Sequence, residues 1–391
     1  MFLGGADPDK NDELKIRIPS IKGALRFWYR AVIWERLGSV EEVRKREAKL
    51  FGSAETGQGA FLLRVSTKKE DKPRNPAGAG MGLDYLGYGL HKKDEPHFMK
   101  KNFIKQGTII ELKFIFKKNI TNKCDITKMD LNDLKLAVKA LGFFGGLGAR
   151  SRRGFGSLTL LSLMENGQEI WRASTDKVGL VEEYKNFFKE LQLKPRVEQL
   201  PDYTAFTDLC KCVISMEEND PLKLLNKTGM QLSGFRKNNS KLSTDLEIAY
   251  KVVNKKFDNE QDSHPVKVAF GLPHNYKLPK AKNSKVLEIN SFVNQQEYKR
   301  ASPLFIHIHQ IGSKYLGVFL FLPAKFLPPN MHINMTAINE KKEKTNVVKV
   351  PNAIEAIGDF APITDFLHEI CQDNDSGGQE NNSKGVEINV Y

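Results

Sequence analysis

The sequence predicts an α+β protein, and three observations lead to that expectation. A helical apolar period runs over residues 20–37, strand-length apolar runs occupy 59–66 and 108–116, and a second helical period covers 131–144 before another strand-length run. The order helix, strand, strand, helix, strand is that of a ferredoxin-like β-α-β-β-α-β unit whose opening strand does not show in the polar residues ahead of the first helix.

Each element has its own warrant. From Ser20 to Leu37, Ile21, Ala24, Leu25, Trp28 and Val32 share one apolar face at about 100° per residue, and Trp28 reads as packing. Ser20 is the expected N-cap and Gly38 the stop. A short helix is expected over Val40 to Leu50. Gly59 to Ser66 reads as a strand after a glycine-rich turn, and Thr108 to Phe116 as its partner. Between them, 70–106 carries glycine, proline and little periodicity, the pattern of a long insertion. Leu131 to Phe144 presents Leu134, Ala137, Val138 and Leu141 on one face, and Phe155 to Leu163 returns as a strand. A helix-prone stretch spans 175–200. Strands are then expected at Asp208 to Met216, Ser302 to Gln310 and Tyr315 to Leu322, with helices at Ser243 to Asn254 and Ala353 to Ile370, a more decorated copy of the same unit. The expected organisation is an N-terminal domain over 1–165, a C-terminal domain over 166–371 and a disordered polar tail over 372–391.

Composition narrows the class. The chain has 391 residues, 40% of them hydrophobic, and no apolar run reaches the about 18 residues needed to span a bilayer. The opening is acidic where a secretory signal would be basic, and four cysteines make no disulfide scaffold, so a reducing cytoplasm is expected. Lys plus Arg outnumber Asp plus Glu by 60 to 47, a net charge of +13 that suits a polyanionic partner.

The segment from Gly142 to Gly156 carries the sharpest signal. Gly145, Gly146 and Gly148 follow a helix, Arg150, Arg152 and Arg153 come next, and Gly154 and Gly156 open the following strand. Glycine allows close backbone approach, and arginine supplies planar donors matched to phosphates. No Asp or Glu lies between residues 134 and 164 to neutralise them locally. The helix-to-strand context is the reverse of a Rossmann or P-loop site, so no nucleotide cofactor is expected. Lys22, Arg26 and Arg30, spaced i, i+4, i+8, add a basic stripe with no acid on the helix until Glu35.

The run Phe144 to Ser157, FGGLGARSRRGFGS, resembles the glycine-rich loop of RAMP proteins, the repeat-associated subunits of CRISPR complexes. FLGGADP at Phe2 to Pro8, PSIKGALRFWYRA at Pro19 to Ala31 and LFGSAETGQG at Leu50 to Gly59 narrow the resemblance to the first subunit of the type III-B (Cmr) effector complex. Weaker echoes are LDYLGYGL at Leu83 to Leu90, AFGLP at Ala269 to Pro273 and KRASPLFIHI at Lys299 to Ile308. The resemblance implies two ferredoxin-like domains and a non-catalytic RNA-binding subunit of an RNA-guided antiviral complex. Its implied partners are guide RNA, target RNA and other Cmr subunits, with contact near the guide 3′ end. It places RNA on Lys22, Arg26 and Arg30, and on the loop's Gly145, Gly146, Gly148, Arg150, Arg152, Arg153, Gly154 and Gly156. Family members carry a strand before FLGGADP. Met1 stands where that strand would end, so either the start was placed too late or the N-terminal sheet has an open edge.

Rival readings are a RAMP endoribonuclease and a purely structural bridge between subunits. Acid–base cleavage at a 2′-OH wants a histidine near the loop, and none lies between His97 and His264; Asp84 is the candidate positioning carboxylate. The pairs Cys210/Cys212 and His307/His309 lack zinc-ligand spacing, so no metal is expected: the cysteines read as core, the histidines as facing solvent or RNA.

Overall fold

A computed structural model of the chain describes residues 16–68, 80–90, 104, 106–116, 126–195, 200–238, 240–258, 262, 264–278, 286–293, 296–328, 331–351, 360–372 and 385–388. FLGGADP, much of the insertion and residues 353–359 of the expected last helix lie outside these residues. Helix α1 spans Ile18–Leu37 and α2 Val40–Phe51. Pro19 sits in the first turn of α1, where its preset φ favours the helix and its missing N–H costs nothing, so the helix starts ahead of Ser20, the expected cap. Gly38 ends it at φ 67°, its N–H on the Trp34 carbonyl. Strands β1 (Gly52–Ser53) and β2 (Gly57–Gln58) form a small hairpin, and β3 (Phe61–Lys68) pairs antiparallel with β4 (Ile109–Phe116). Between the last two lies α3 (Met81–Leu86). Helix α4 (Lys128–Phe144) opens with a capping box between Thr127 and Asp130. The hairpin β5 (Ser162–Glu165) and β6 (Gln168–Arg172) and helix α5 (Lys177–Leu191) complete the first half.

The second half runs β7 (Lys211–Glu218), α6 (Pro221–Asn238), α7 (Ser240–Val253), a 3-10 turn (Val266–Phe270), β8 (His274–Lys277), β9 (Val286–Val293) and β10 (Gln296–Tyr298). It continues through β11 (Leu304–Ile311), β12 (Lys314–Phe321), β13 (His332–Ile338), β14 (Lys344–Pro351), α8 (Ala361–Gln372) and β15 (Val386–Ile388). Antiparallel pairing sets one sheet in the order β11-β12-β7-β15. With α6 between β7 and β11, and α8 between β12 and β15, this is the order of a β-α-β-β-α-β unit. A second sheet, β10-β9-β13-β14 with β8 on β9, is inserted into that series.

Period-2 alternation along the first sheet feeds two cores. Cys212, Ile214, Phe305, Ile311, Leu316, Val318 and Leu320 face the side packed by α1, α4 and α5. Val213, Leu304, Ile306, Ile308, Phe319 and Phe321 face the side packed by α6 and α8. Both faces being covered, these strands read as near-continuous apolar runs. Both cores also cross residue 165, the expected domain boundary: the α1 and α4 helices lie on the second-half sheet, while Leu83 and Leu86 of α3 belong to the α6 core.

The expected insertion thus contains a docked helix. Its periodicity escaped notice because α3 is six residues long and its contact is made by glycines. A Cβ on Gly82 would lie 1.9 Å from the Asn226 carbonyl oxygen, and one on Gly229 would lie 2.1 Å from the Gly82 oxygen. The expected strand Phe155 to Leu163 is instead a run of turns that reaches strand geometry at Ser162, and the tail contributes β15, whose Ile388 is buried. Among the described residues no helix is long and apolar enough to cross a membrane.

Gly229→Ala should lower the urea midpoint by the equivalent of about 1–3 kcal/mol, because α3 must be pushed off α6. Gly234→Ala in the same helix, where nothing lies within 4 Å of the new methyl, should raise stability by about 0.5–1 kcal/mol. Equal effects at the two positions would contradict the close α3–α6 contact.

Candidate functional site

The glycine-arginine loop connects α4 to β5 and is fastened along the outer edge of β11. Ile306 N–H donates to the Arg152 carbonyl at 3.0 Å, Ile308 N–H to Ser157 Oγ at 3.0 Å and Gln310 N–H to Thr159 Oγ1 at 3.1 Å. Hydroxyls therefore stand where a neighbouring strand's carbonyls would, so residues 158–161 lie beside β11 without being a strand. The loop closes on itself through Leu147 N–H to the Gly156 carbonyl at 2.9 Å and Leu158 N–H to the Gly145 carbonyl at 3.2 Å.

The glycines serve this closure. A Cβ on Gly145 would lie 2.5 Å from Trp28 Nε1, and one on Gly146 would lie 2.7 Å from the Gly156 oxygen. Gly154 has φ 84° and would meet Leu225 at 2.5 Å; Gly148 and Gly156 also have positive φ, at 89° and 69°. Their first duty is therefore close internal packing.

Beneath the loop, His307 and His309 are buried, each 1% exposed. His307 Nδ1 lies 2.9 Å from the Gly145 carbonyl, which can only accept, so this nitrogen carries the proton. Its Nε2 then accepts from His309 Nδ1–H at 3.3 Å. Burial holds His307 down to about 4 against the opposing hydrogen bond to Gly145, and burial together with His307 holds His309 well below the ordinary range. The expectation that these histidines face solvent or RNA is corrected: odd positions of β11 point into the α1–α4 core. Cys210 and Cys212 are core residues. Among the described residues no group of three or more His, Cys, Asp or Glu side chains could hold a metal ion.

The six expected cations divide into distinct environments. Arg26 and Arg30 both reach Glu47 Oε1 of α2, at 2.8 and 2.9 Å, so the acid missing from the α1 stripe comes from the neighbouring helix. Arg26 also donates to the Phe51 carbonyl at 3.2 Å. Lys22, at the start of the stripe, is pulled below the ordinary lysine range by burial and by Arg26. Arg152 is largely enclosed: its guanidinium lies 4.5 Å from the Phe305 ring and 5.1 Å from the Phe27 ring, and donates to the Ser302 carbonyl at 2.7 Å. Burial and Arg300 lower it to about 10, which leaves it a cation at neutral pH. Arg150, in the left-handed region at φ 60°, is exposed and donates to the Tyr88 carbonyl. None of Arg150, Arg152 and Arg153 pairs with a described carboxylate. The loop thus meets the α1 stripe at Phe27, under Arg152.

Arg153 brings in residues the sequence did not single out. It sits with Tyr85 of α3, Arg236 of α6 and Arg150, and its guanidinium is lowered by burial, with Arg236 and Arg150 adding to the effect. Arg236 donates to Tyr85 Oη at 2.7 Å and lies 5.0 Å from the Phe270 ring. The only hint in the sequence was that Tyr85 falls in one of the weaker echoes and Lys267, Phe270 and His274 in or beside another.

Residues 1–159, which hold α1, α4 and the glycine loop, match the RAMP superfamily model. Over 330 residues the chain is 23% identical to the CRISPR system Cmr subunit Cmr1-1 of Pyrococcus furiosus, covering 80% of this chain and 82% of that one. Among solved structures, it is similar to the apo crystal structure of Cmr1 from Pyrococcus furiosus, with TM-score 0.48 and 17% identity, covering 80% and 82% of the two chains. A chain in the cryo-EM structure of the type III-B Cmr-beta complex bound to cognate target RNA aligns with TM-score 0.46 and 12% identity over 90% and 93%.

The histidine pair makes stability pH-dependent. A histidine neutral in the fold takes up a proton on unfolding, so its contribution is fully present above the unfolded value of about 6.5 and is lost as pH falls toward about 4. Denaturant midpoints should therefore fall from pH 7 to pH 5. The deficit of His307→Gln relative to the parent should shrink over the same interval, and a constant deficit would contradict a neutral, buried His307.

Proposed function

We propose that the chain is an RNA-binding RAMP subunit of a type III-B Cmr complex that holds guide or target RNA, near the guide 3′ end, without cutting it. The observation that carries this reading is the likeness to a Cmr1 subunit along 80% of the chain, beside the RAMP superfamily match over residues 1–159, which include α1 and the glycine loop. Lys22, Arg26, Arg30, Arg150, Arg152 and Arg153 supply charge to a ribose-phosphate backbone. The loop's glycines hold Arg150 and Arg153 at its outer side. Within this reading the N-terminal 165 residues and the second-half sheet act as two ferredoxin-like units, and other Cmr subunits and both RNAs are the partners. The cytoplasm is the matching compartment.

The geometry favours binding over cleavage. The imidazoles beneath the loop, His307 and His309, are buried and committed to the Gly145 carbonyl and to each other, so neither reaches a 2′-OH, and His274 beside Arg236 is held by burial at about 3, too weak a base for the step.

The charges predict a salt dependence. Glu47 neutralises one of its two arginines, leaving five charges for the backbone. With about −0.7 per phosphate for a single strand, log K should fall with log salt at a slope of about −3.5. Glu47→Gln should steepen it toward about −4, and Arg150→Ala with Arg153→Ala should flatten it while weakening all RNA sequences alike. A purely structural bridge would show no affinity for single-stranded RNA. Product strands that appear with the isolated protein and vanish in Asp84→Ala would make it a nuclease instead.

A further inference from the structure

A cluster of cations lies on the side of the loop away from α1, with little negative charge to balance it. Arg153 comes from the loop, Arg236 from α6, Lys267 from the 3-10 turn and His274 from β8, with Arg150 at the rim. Arg236 offers one guanidinium N–H to Tyr85 Oη at 2.7 Å and another to His274 Nδ1 at 3.4 Å. Neither acceptor is a carboxylate, and Arg236 Nε–H is buried without a hydrogen-bond partner among the described residues. His274 is held neutral, at about 3, by burial and by Arg236, Lys267 and Arg153, which are close enough to repel a further proton.

The nearby carboxylate is already engaged. Asp245 Oδ1 accepts Val266 N–H at 2.7 Å, while its Oδ2 accepts Lys267 N–H at 3.0 Å and the Tyr276 hydroxyl at 2.7 Å. Counting Asp84, the residue before Tyr85, together with Asp245 still leaves Arg150, Arg153, Arg236 and Lys267 in excess, four cations to two acids. Gathering like charges in a half-buried place is unfavourable unless an anion completes it. The surroundings hold the donors in place: Arg236 stacks on Phe270, and Lys267 Nζ lies 5.8 Å from the Tyr276 ring. Guanidinium pairs with fixed planes suit an oxyanion with several acceptor oxygens.

We propose that Arg153, Arg236 and Lys267 form a binding site for one phosphoryl group, with Arg150 at its rim. The proposal rests on the RNA-binding reading for its source, a backbone phosphate of the bound strand, and adds to it a discrete contact point where α3, α6 and β8 meet the loop. Tyr85, by holding Arg236, is a positioning residue.

The test uses the full chain. Inorganic phosphate, titrated against chloride at constant ionic strength, should raise the melting temperature of the parent protein, and Arg236→Gln and Lys267→Gln should each abolish most of that rise. The same variants should weaken a single-stranded RNA oligonucleotide by about tenfold and reduce the salt slope by about 0.7 each. Lys267→Gln, at the less enclosed end of the cluster, keeps the test alive if Arg236→Gln does not fold. If the parent binds RNA but both variants keep its affinity and slope, and phosphate gives no stabilisation beyond chloride, the site is wrong and the RNA reading stands. If RNA is not bound at all while the phosphate effect is present and lost in the variants, the site is supported with a free phosphate as its source, and the RNA reading fails.

Discussion

The constraint on which the rest of this molecule depends is the attachment of residues 145–159 to the free side of β11. Without it β11 would be an open sheet edge lying between two cores. Strand edges with unpaired N–H groups invite wrong partners, and here the N–H groups of Ile306, Ile308 and Gln310 are taken by a carbonyl and two hydroxyls of the loop. With a net worth of about 1 kcal/mol per hydrogen bond, the three contribute only a few kcal/mol. Their larger effect is on position: the same contact fixes the loop against α1 through Trp28 and against α6 through Leu225, so the loop's arginines project from a rigid support.

That support explains the uneven fate of the arginines. Residue 152 faces the α1 side and is absorbed by two aromatic rings and a carbonyl; residue 153 faces the α6 side, and residue 150 stands at the outside of the turn. Arg150 to Arg153 form a turn closed by Arg153 N–H on the Arg150 carbonyl, with Arg150 in the left-handed region, so three arginines close in sequence serve different surroundings. Their charge cannot be treated as one patch. On α1 the reverse holds: i, i+4 spacing puts Arg26 and Arg30 both within reach of one glutamate.

Much of the fold was legible because its signals are local. The α1 period, the β3 and β4 runs, the α4 period from Leu131 and the strands β7, β11 and β12 announce themselves in short windows. What was missed depends on distant partners. In the sheet containing β9, β13 and β14, β9 alternates in burial but Ser291 takes one inward position and Thr336 is buried in β13, which breaks the apolar period, and α3 is recognisable only by its glycine contact with α6. Of the candidate site, the loop and the α1 stripe were legible as residue types, but their pairing was not. Glu47 lies 17 residues beyond Arg30, and no spacing rule reveals that α2 folds back to place it between two arginines. His307 and His309 could be read as a pair on one face of a strand, yet the sequence does not say which face is buried when both are apolar.

The three weaker sequence echoes make one physical point together. LDYLGYGL, AFGLP and KRASPLFIHI lie far apart in the chain, and each sends residues to the surroundings of the loop: Tyr85 to Arg153 and Arg236, Phe270 to Arg236, Ser302 and Phe305 to Arg152. The residues they send, Tyr85, Phe270, Ser302 and Phe305, carry no charge. They provide phenol, ring faces and carbonyls, groups that hold a guanidinium in place without neutralising it. A carboxylate in the same position would fix the arginine equally well but cancel the charge. A site that must keep cations both ordered and available to an outside anion is therefore expected to use neutral holders, and around Arg152, Arg153 and Arg236 that is the chemistry found.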